Sequence, residues 1–124
     1  MYKITAEDEK KLAKLGPYQQ AILRLLAEVP KGEVTTYGDL ANELSRRDSK
    51  WKPSARAVGT TMRNNPCGPF IPCHRVIKSD GTIGNFRGGA PGAVKEKAKM
   101  LRDEGVEVVS GIINLKVYRH KFTT

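Results

Sequence analysis

The chain has 124 residues, 39% of them hydrophobic and 28% charged, which is enough for one globular domain with a core of its own and too few for two. Lys and Arg number 22 against 13 Asp and Glu, and the net charge of +9 favours a polyanionic partner, nucleic acid first. No apolar run reaches a membrane span and the start, MYKITAEDEKKLAKLG, is too charged for a secretory signal, so a cytoplasmic protein with reduced thiols and no membrane partner is expected.

Residues 1–16 are rich in charge, with helical spacing at Leu12 and Leu15, and read as an N-terminal stub or short helix ahead of a domain over 17–124. Pro17 suits a first helical position, and Ala21, Ile22, Leu25, Leu26 and Val29 recur on one helix face until Pro30 stops the run. After the turn Lys31-Gly32-Glu33, Val34-Thr35 reads as a brief extended entry. Thr35 or Thr36 can then cap a helix from about Tyr37 to Leu44. A basic connection, SRRDSKWKP, carries the only tryptophan, and Pro53-Ser54 opens another helix from Ala55 to about Asn64. Two short helices joined this way, the second bearing Arg56, Arg63 and the small Ala55 and Gly59, fit a helix-turn-helix.

Ile71-Pro72-Cys73-His74-Arg75-Val76-Ile77 follows, a thiol beside an imidazole in an apolar frame that otherwise reads as a buried strand. A cysteine is a strong nucleophile only as the thiolate, and His74 and Arg75 are the adjacent groups able to favour that form. Neighbours on a strand face opposite ways, so direct contact between Cys73 and His74 would need a local turn, and indirect contact a bridging water. A buried structural cysteine is the competing reading. Cys67, in a turn-rich segment, reads as a bystander, and without a C-x-x-C or H-x-x-x-H pair no metal site is expected.

Lys78 to Thr82 reads as a hairpin-like turn and Gly84 to Gly92 as a glycine-rich loop able to approach a ligand closely, without the order of a phosphate-binding loop. A last helix from about Pro91, with Val94, Ala98 and Leu101 on one face, ends at Glu104-Gly105. Residues 106–124 alternate enough for a closing extended segment. The whole is mainly α with short extended segments.

Six stretches in order, Gly32 to Ala41 (GEVTTYGDLA), Ala55 to Gly59 (ARAVG), Asn65-Pro66, IPCHRVI, the GNFRGG loop and Glu104-Gly105, resemble the C-terminal domain of O6-alkylguanine-DNA alkyltransferases from about Pro17 to Leu115. The resemblance implies a winged-helix-like helix-turn-helix domain carrying the active-site cysteine, and repair by irreversible alkyl transfer from guanine O6 in duplex DNA to Cys73, without a cofactor. It further implies that His74 deprotonates Cys73, that Glu104 orients His74, that Tyr37 protonates the departing guanine and that Asn65 is a hinge. Arg56 would fill the space of an extruded nucleotide, with Thr36, Tyr37, Ala55, Gly59 and Arg63 along the DNA and Val76, Asn85, Phe86 and Arg87 around the base pocket.

The chain departs from the family pattern at its start, in the SRRDSKWKP connection and in an extended-looking segment between Gly89 and the last helix. Only about 16 residues stand where the family usually has a further domain, so either a minimal monomeric enzyme or a domain with a fused or separate repair partner is expected, and SRRDSKWKP is longer than the pattern. A lesion sensor of the alkyltransferase-like type is the alternative function, although such proteins typically have tryptophan at the position of Cys73. A Cys-His hydrolase is a third reading and would leave the basic helix idle.

Overall fold

A computed structural model of the chain describes residues 2–64, 72–84 and 92–122. Helix α1 (Ala6–Leu12) begins in a reciprocal cap: Thr5 accepts the Asp8 N–H, and the Asp8 carboxylate accepts the Thr5 N–H and the Tyr2 hydroxyl. Leu12 is fully buried with the α2 side chains, and the Tyr2 N–H donates to the Ala27 carbonyl at 2.8 Å. Of the two readings of this segment, the short helix is therefore the one that forms, and it packs into the same core as the residues after 16.

Helix α2 (Pro17–Leu26) starts with proline at its first turn and buries Ile22, Leu23, Leu25 and Leu26. Thr36 caps α3 (Tyr37–Arg47) by accepting the Asp39 N–H. This helix runs three residues past Leu44, because Arg46 and Arg47 both hydrogen-bond back to Glu43 at helical spacing. The connection to α4 (Ala55–Arg63) thus shortens to Asp48–Ser54, with Ser54 accepting the Ala57 N–H as the cap. Helices α3 and α4 pack as a helix-turn-helix backed by α2. Val58 and Thr61 face inward, while Ala55, Arg56, Thr60 and Arg63 are exposed.

The Cys-His stretch is not a continuous strand. Cys73–Arg75 forms a single 3-10 turn, and only Val76–Ile77 (β2) is extended, pairing in parallel with β1 (Thr35–Thr36). Pro72 explains the switch: it lies at the start of the turn with φ −75°, and its carbonyl accepts the Arg75 N–H. The two residues of β2 then serve different cores. Val76 packs with α1 to α4, and Ile77 packs with Val34, Ile83, Leu101 and the 106–113 segment, so the reactive turn sits where the two cores meet.

Helix α5 (Ala93–Asp103) differs from the expected face. Val94 is 42% exposed and Lys97 only 1%, because the inward stripe is Ala93, Lys97, Ala98 and Leu101. The closing segment is not extended throughout either. Val109 and Ile112 bridge across a tight turn with Ser110 and Gly111 at positive φ, and α6 (Leu115–Tyr118) follows, capped by Asn114. Val34 and Arg119 then bridge in parallel, which carries the end of the chain back beside β1.

Candidate active site and nucleic-acid interface

The 3-10 turn places Cys73 half-buried and His74 and Arg75 inside. From the end of α5, Glu104 meets both: its Oε2 lies 3.0 Å from His74 Nε2, and it accepts Arg75 Nε at 2.9 Å and a second guanidinium N–H at 2.6 Å. The third arm of Arg75 donates to the Val29 carbonyl at 2.8 Å. Burial alone would raise the Glu104 carboxyl, but the hydrogen bonds from Arg75 and His74 outweigh it and hold the group below the usual carboxylate range. Burial pushes the His74 imidazole below its ordinary value, against the opposing pull of Glu104, so the ring is neutral at pH 7. A neutral ring that donates Nε2–H to a carboxylate carries its lone pair on Nδ1, and that buried atom has no hydrogen-bond partner among the described residues.

Two further groups face this centre. Tyr37, at the first position of α3, is half-buried, and its phenol is raised by burial and then by the nearby Cys73 charge, which keeps it protonated. A Cβ built on Gly84 would lie 3.8 Å from the Tyr37 hydroxyl, and Gly84 itself is at φ +71°, so this close approach is available to glycine. Lys97 Nζ donates to the Val76 and Ile83 carbonyls at 2.6 and 2.5 Å. Burial lowers its pKa to about 8, and the charge of Cys73 works in the opposite direction. That attraction is mutual, so the ammonium favours a thiolate at Cys73.

Cys73, His74, Glu104 and Tyr37 therefore converge. Arg56, Ala55, Gly59 and Arg63 line the outer side of α4, and a Cβ on Gly59 would meet nothing within 4 Å among the described residues. Two expected contacts are corrected. Thr36 is 1% exposed with its hydroxyl committed to the start of α3, and Val76 is fully buried in the larger core, so neither is presented to DNA or to a bound base. Asn65, Asn85, Phe86, Arg87 and Cys67 lie outside the described residues. Sequence reading missed Arg75 as the second partner of Glu104 and missed Lys97 altogether. The spacing of Ala93, Lys97 and Leu101, four residues apart on one helix face, was the available signal for Lys97. Among the described residues no group of three His, Cys, Asp or Glu could hold a metal ion.

Residues 17–106 match the model of the 6-O-methylguanine DNA methyltransferase DNA-binding domain. The chain belongs to that family. A bifunctional methyltransferase/endonuclease of Picrophilus torridus is 44% identical over 95 residues, which are 77% of this chain and 29% of the relative. A methylated-DNA protein-cysteine methyltransferase of Shigella flexneri is 39% identical over 89 residues, 72% of this chain and 47% of the relative. The chain thus spans less than half the length of these methyltransferase relatives. Among solved structures, S. pombe Atl1 in complex with damaged DNA containing O6-carboxymethylguanine aligns with a TM-score of 0.71 at 29% identity. The alignment covers 84% of this chain and 94% of Atl1.

Proposed function

We propose that this methyltransferase-family domain repairs O6-alkylguanine in duplex DNA by moving the alkyl group to Cys73, once per molecule. His74 takes the Cys73 proton at Nδ1, through a water, while Glu104 holds the ring by Nε2–H and carries the balancing charge. The thiolate attacks the alkyl carbon, the S–C bond forms as the C–O6 bond breaks, and the guanine leaves with a proton from Tyr37. Solvent exchange returns the His74 proton and restores Tyr37, and the thioether remains. Arg56 on α4 holds the place of the extruded nucleotide, since the reacting carbon is out of reach inside the stack. A cytoplasmic location keeps the thiol reduced.

The observation that carries this reading is the Cys73, His74, Glu104 arrangement with a neutral imidazole between a thiol-bearing turn and a carboxylate. A second reading, a sensor that binds the lesion without transfer, draws support from the likeness to Atl1 along nearly the whole of that chain. Incubation with a duplex carrying one O6-methylguanine, followed by intact and peptide mass measurement, separates them. Transfer adds one methyl to the Cys73 peptide, and Cys73→Ala binds the same duplex without gaining it. An unmodified wild-type chain at full occupancy, with its thiol reduced, leaves the sensor.

A further inference from the structure

The tail that follows α6 returns to the start of α3 and grips the chain on both sides of Tyr37. Before Tyr37, the Val34 N–H donates to the Tyr118 carbonyl at 2.8 Å and the His120 N–H donates to the Val34 carbonyl at 2.7 Å, one residue ahead of the β1 pairing with β2. After Tyr37, the Arg119 guanidinium takes the Asp39 carboxylate with two hydrogen bonds, from Nε at 2.7 Å and from a terminal nitrogen at 2.6 Å. The tail is itself anchored. His120 Nδ1 lies 2.7 Å from Glu33 Oε1, the His120 ring meets Phe122 edge-on at 4.7 Å, and Phe122 packs against the larger core. The guanidinium of Arg47, at the far end of α3, stands 5.9 Å from the Phe122 ring centre. All these tail residues lie beyond the 17–106 stretch matched to the family.

We infer that Arg119 is a positioning residue for alkyl transfer: through Asp39 it fixes the first turn of α3, so that the Tyr37 hydroxyl stays where the guanine departs. The inference rests on the alkyl-transfer reading and deepens it. β1 and its ladder to β2 are only two residues long, too little to hold a helix start unaided. Asp39 joins the two supports that remain. Its N–H donates to the Thr36 hydroxyl, tying the turn to the strand, and its carboxylate ties the same turn to the tail. Tyr37 packs part-buried against the larger core with Gly84 close to its hydroxyl, so a small rotation of this turn moves the proton donor out of register. Misplacing a reacting group by about 1 Å costs on the order of a hundredfold in rate. The side chains of Arg119 and Asp39 are 47% and 21% exposed, too solvated for their pairing to add much stability. Orientation is what the two-pronged contact supplies.

The test compares duplexes carrying O6-methylguanine or O6-methyl-8-azaguanine, whose additional ring nitrogen makes the departing base a stronger acid in less need of a proton donor. Single-turnover transfer to Cys73 is followed by mass at saturating duplex, so that binding drops out of the rate. Arg119→Gln should slow transfer from O6-methylguanine about tenfold, part of the roughly hundredfold or more that a placed general acid contributes, and transfer from the 8-aza lesion by about twofold or less. Arg119→Lys, which keeps the charge, should recover part of that difference. Asp39→Asn breaks the same pair from its other end and should show the same selectivity, with no further change when Arg119→Gln is added to it. Lys121→Ala removes one positive charge from an exposed neighbour in the tail and should leave both rates as in the wild type. Equal slowing with the two lesions, wild-type rates in Arg119→Gln, or the same selective loss in Lys121→Ala overturns the inference while leaving alkyl transfer to Cys73 standing. A wild-type chain that gains no methyl from either duplex overturns both.

Discussion

The Glu104 carboxylate accepts hydrogen bonds from both His74 and Arg75, side chains only 5% and 10% exposed. Removing its charge strands a buried guanidinium as well as the imidazole. Glu104→Gln should therefore cost about 3–5 kcal/mol of stability in chemical denaturation, besides slowing transfer, because one partner of a buried ion pair is left uncompensated. His74 sets the acid limit. Its folded pKa lies below the ordinary 6.5, so on acidification the unfolded chain takes up the proton first, and stability present above 6.5 is lost as pH falls below it. Glu104, also lowered, works with the same sign at still lower pH. Transfer to Cys73, followed by mass against pH, should persist below 6.5, because the buried ring gains its proton at a lower pH than an ordinary imidazole, and be lost on further acidification. At this scale the sequence was informative about chemistry and, through the resemblance, about Glu104 as the partner of His74, but silent about Arg75. The pairing of Cys73 with His74 stood in one short motif, whereas Arg75 and Glu104 are 29 positions apart and their contact exists only through the packing of α5 on the reactive turn.

Among the elements, α4 combines buried Val58 and Thr61 with an outer side on which Ala55 and Gly59 stand small between Arg56 and Arg63. A glycine inside a helix weakens it, and among the described residues no neighbour requires one at position 59. Gly59→Ala should accordingly raise stability by about 1 kcal/mol in thermal or chemical melts, and, with α4 facing DNA as proposed, the added methyl should slow transfer from duplex. Elements of ten residues or so were legible from spacing, as with α2 and α3. Short ones were not. The run Ile113-Asn114-Leu115-Lys116-Val117 alternates like a strand, yet Asn114 caps a four-residue helix within it, and over so few positions the two periodicities cannot be told apart. Pro72 hid a 3-10 turn in the same way, and Lys97 disguised the inner face of α5 because a lysine scores as surface whatever its carbonyl partners.

For the whole molecule, the excess of nine positive charges makes duplex affinity a matter of ionic strength. Anisotropy titrations should show the logarithm of the binding constant falling linearly with the logarithm of salt, by a slope of about 0.9 for each phosphate neutralised. A slope near zero would place the basic surface elsewhere than on DNA. Charge, length and the helix-turn-helix spacing were readable from composition and pattern. The meeting of two cores at Val76 and Ile77 was not, because it depends on a ladder of only two residues between segments 41 positions apart.

Arg75 gives this arrangement its last consequence. From the same turn as the sulfur, one guanidinium grips the acid that ends α5 and the carbonyl of Val29 beyond α2, stitching both cores through a single side chain. Fraying at the nucleophile is then not a private local event: whatever loosens the thiol also unpicks the scaffold, and reactivity and folded structure should vanish on heating at one and the same temperature.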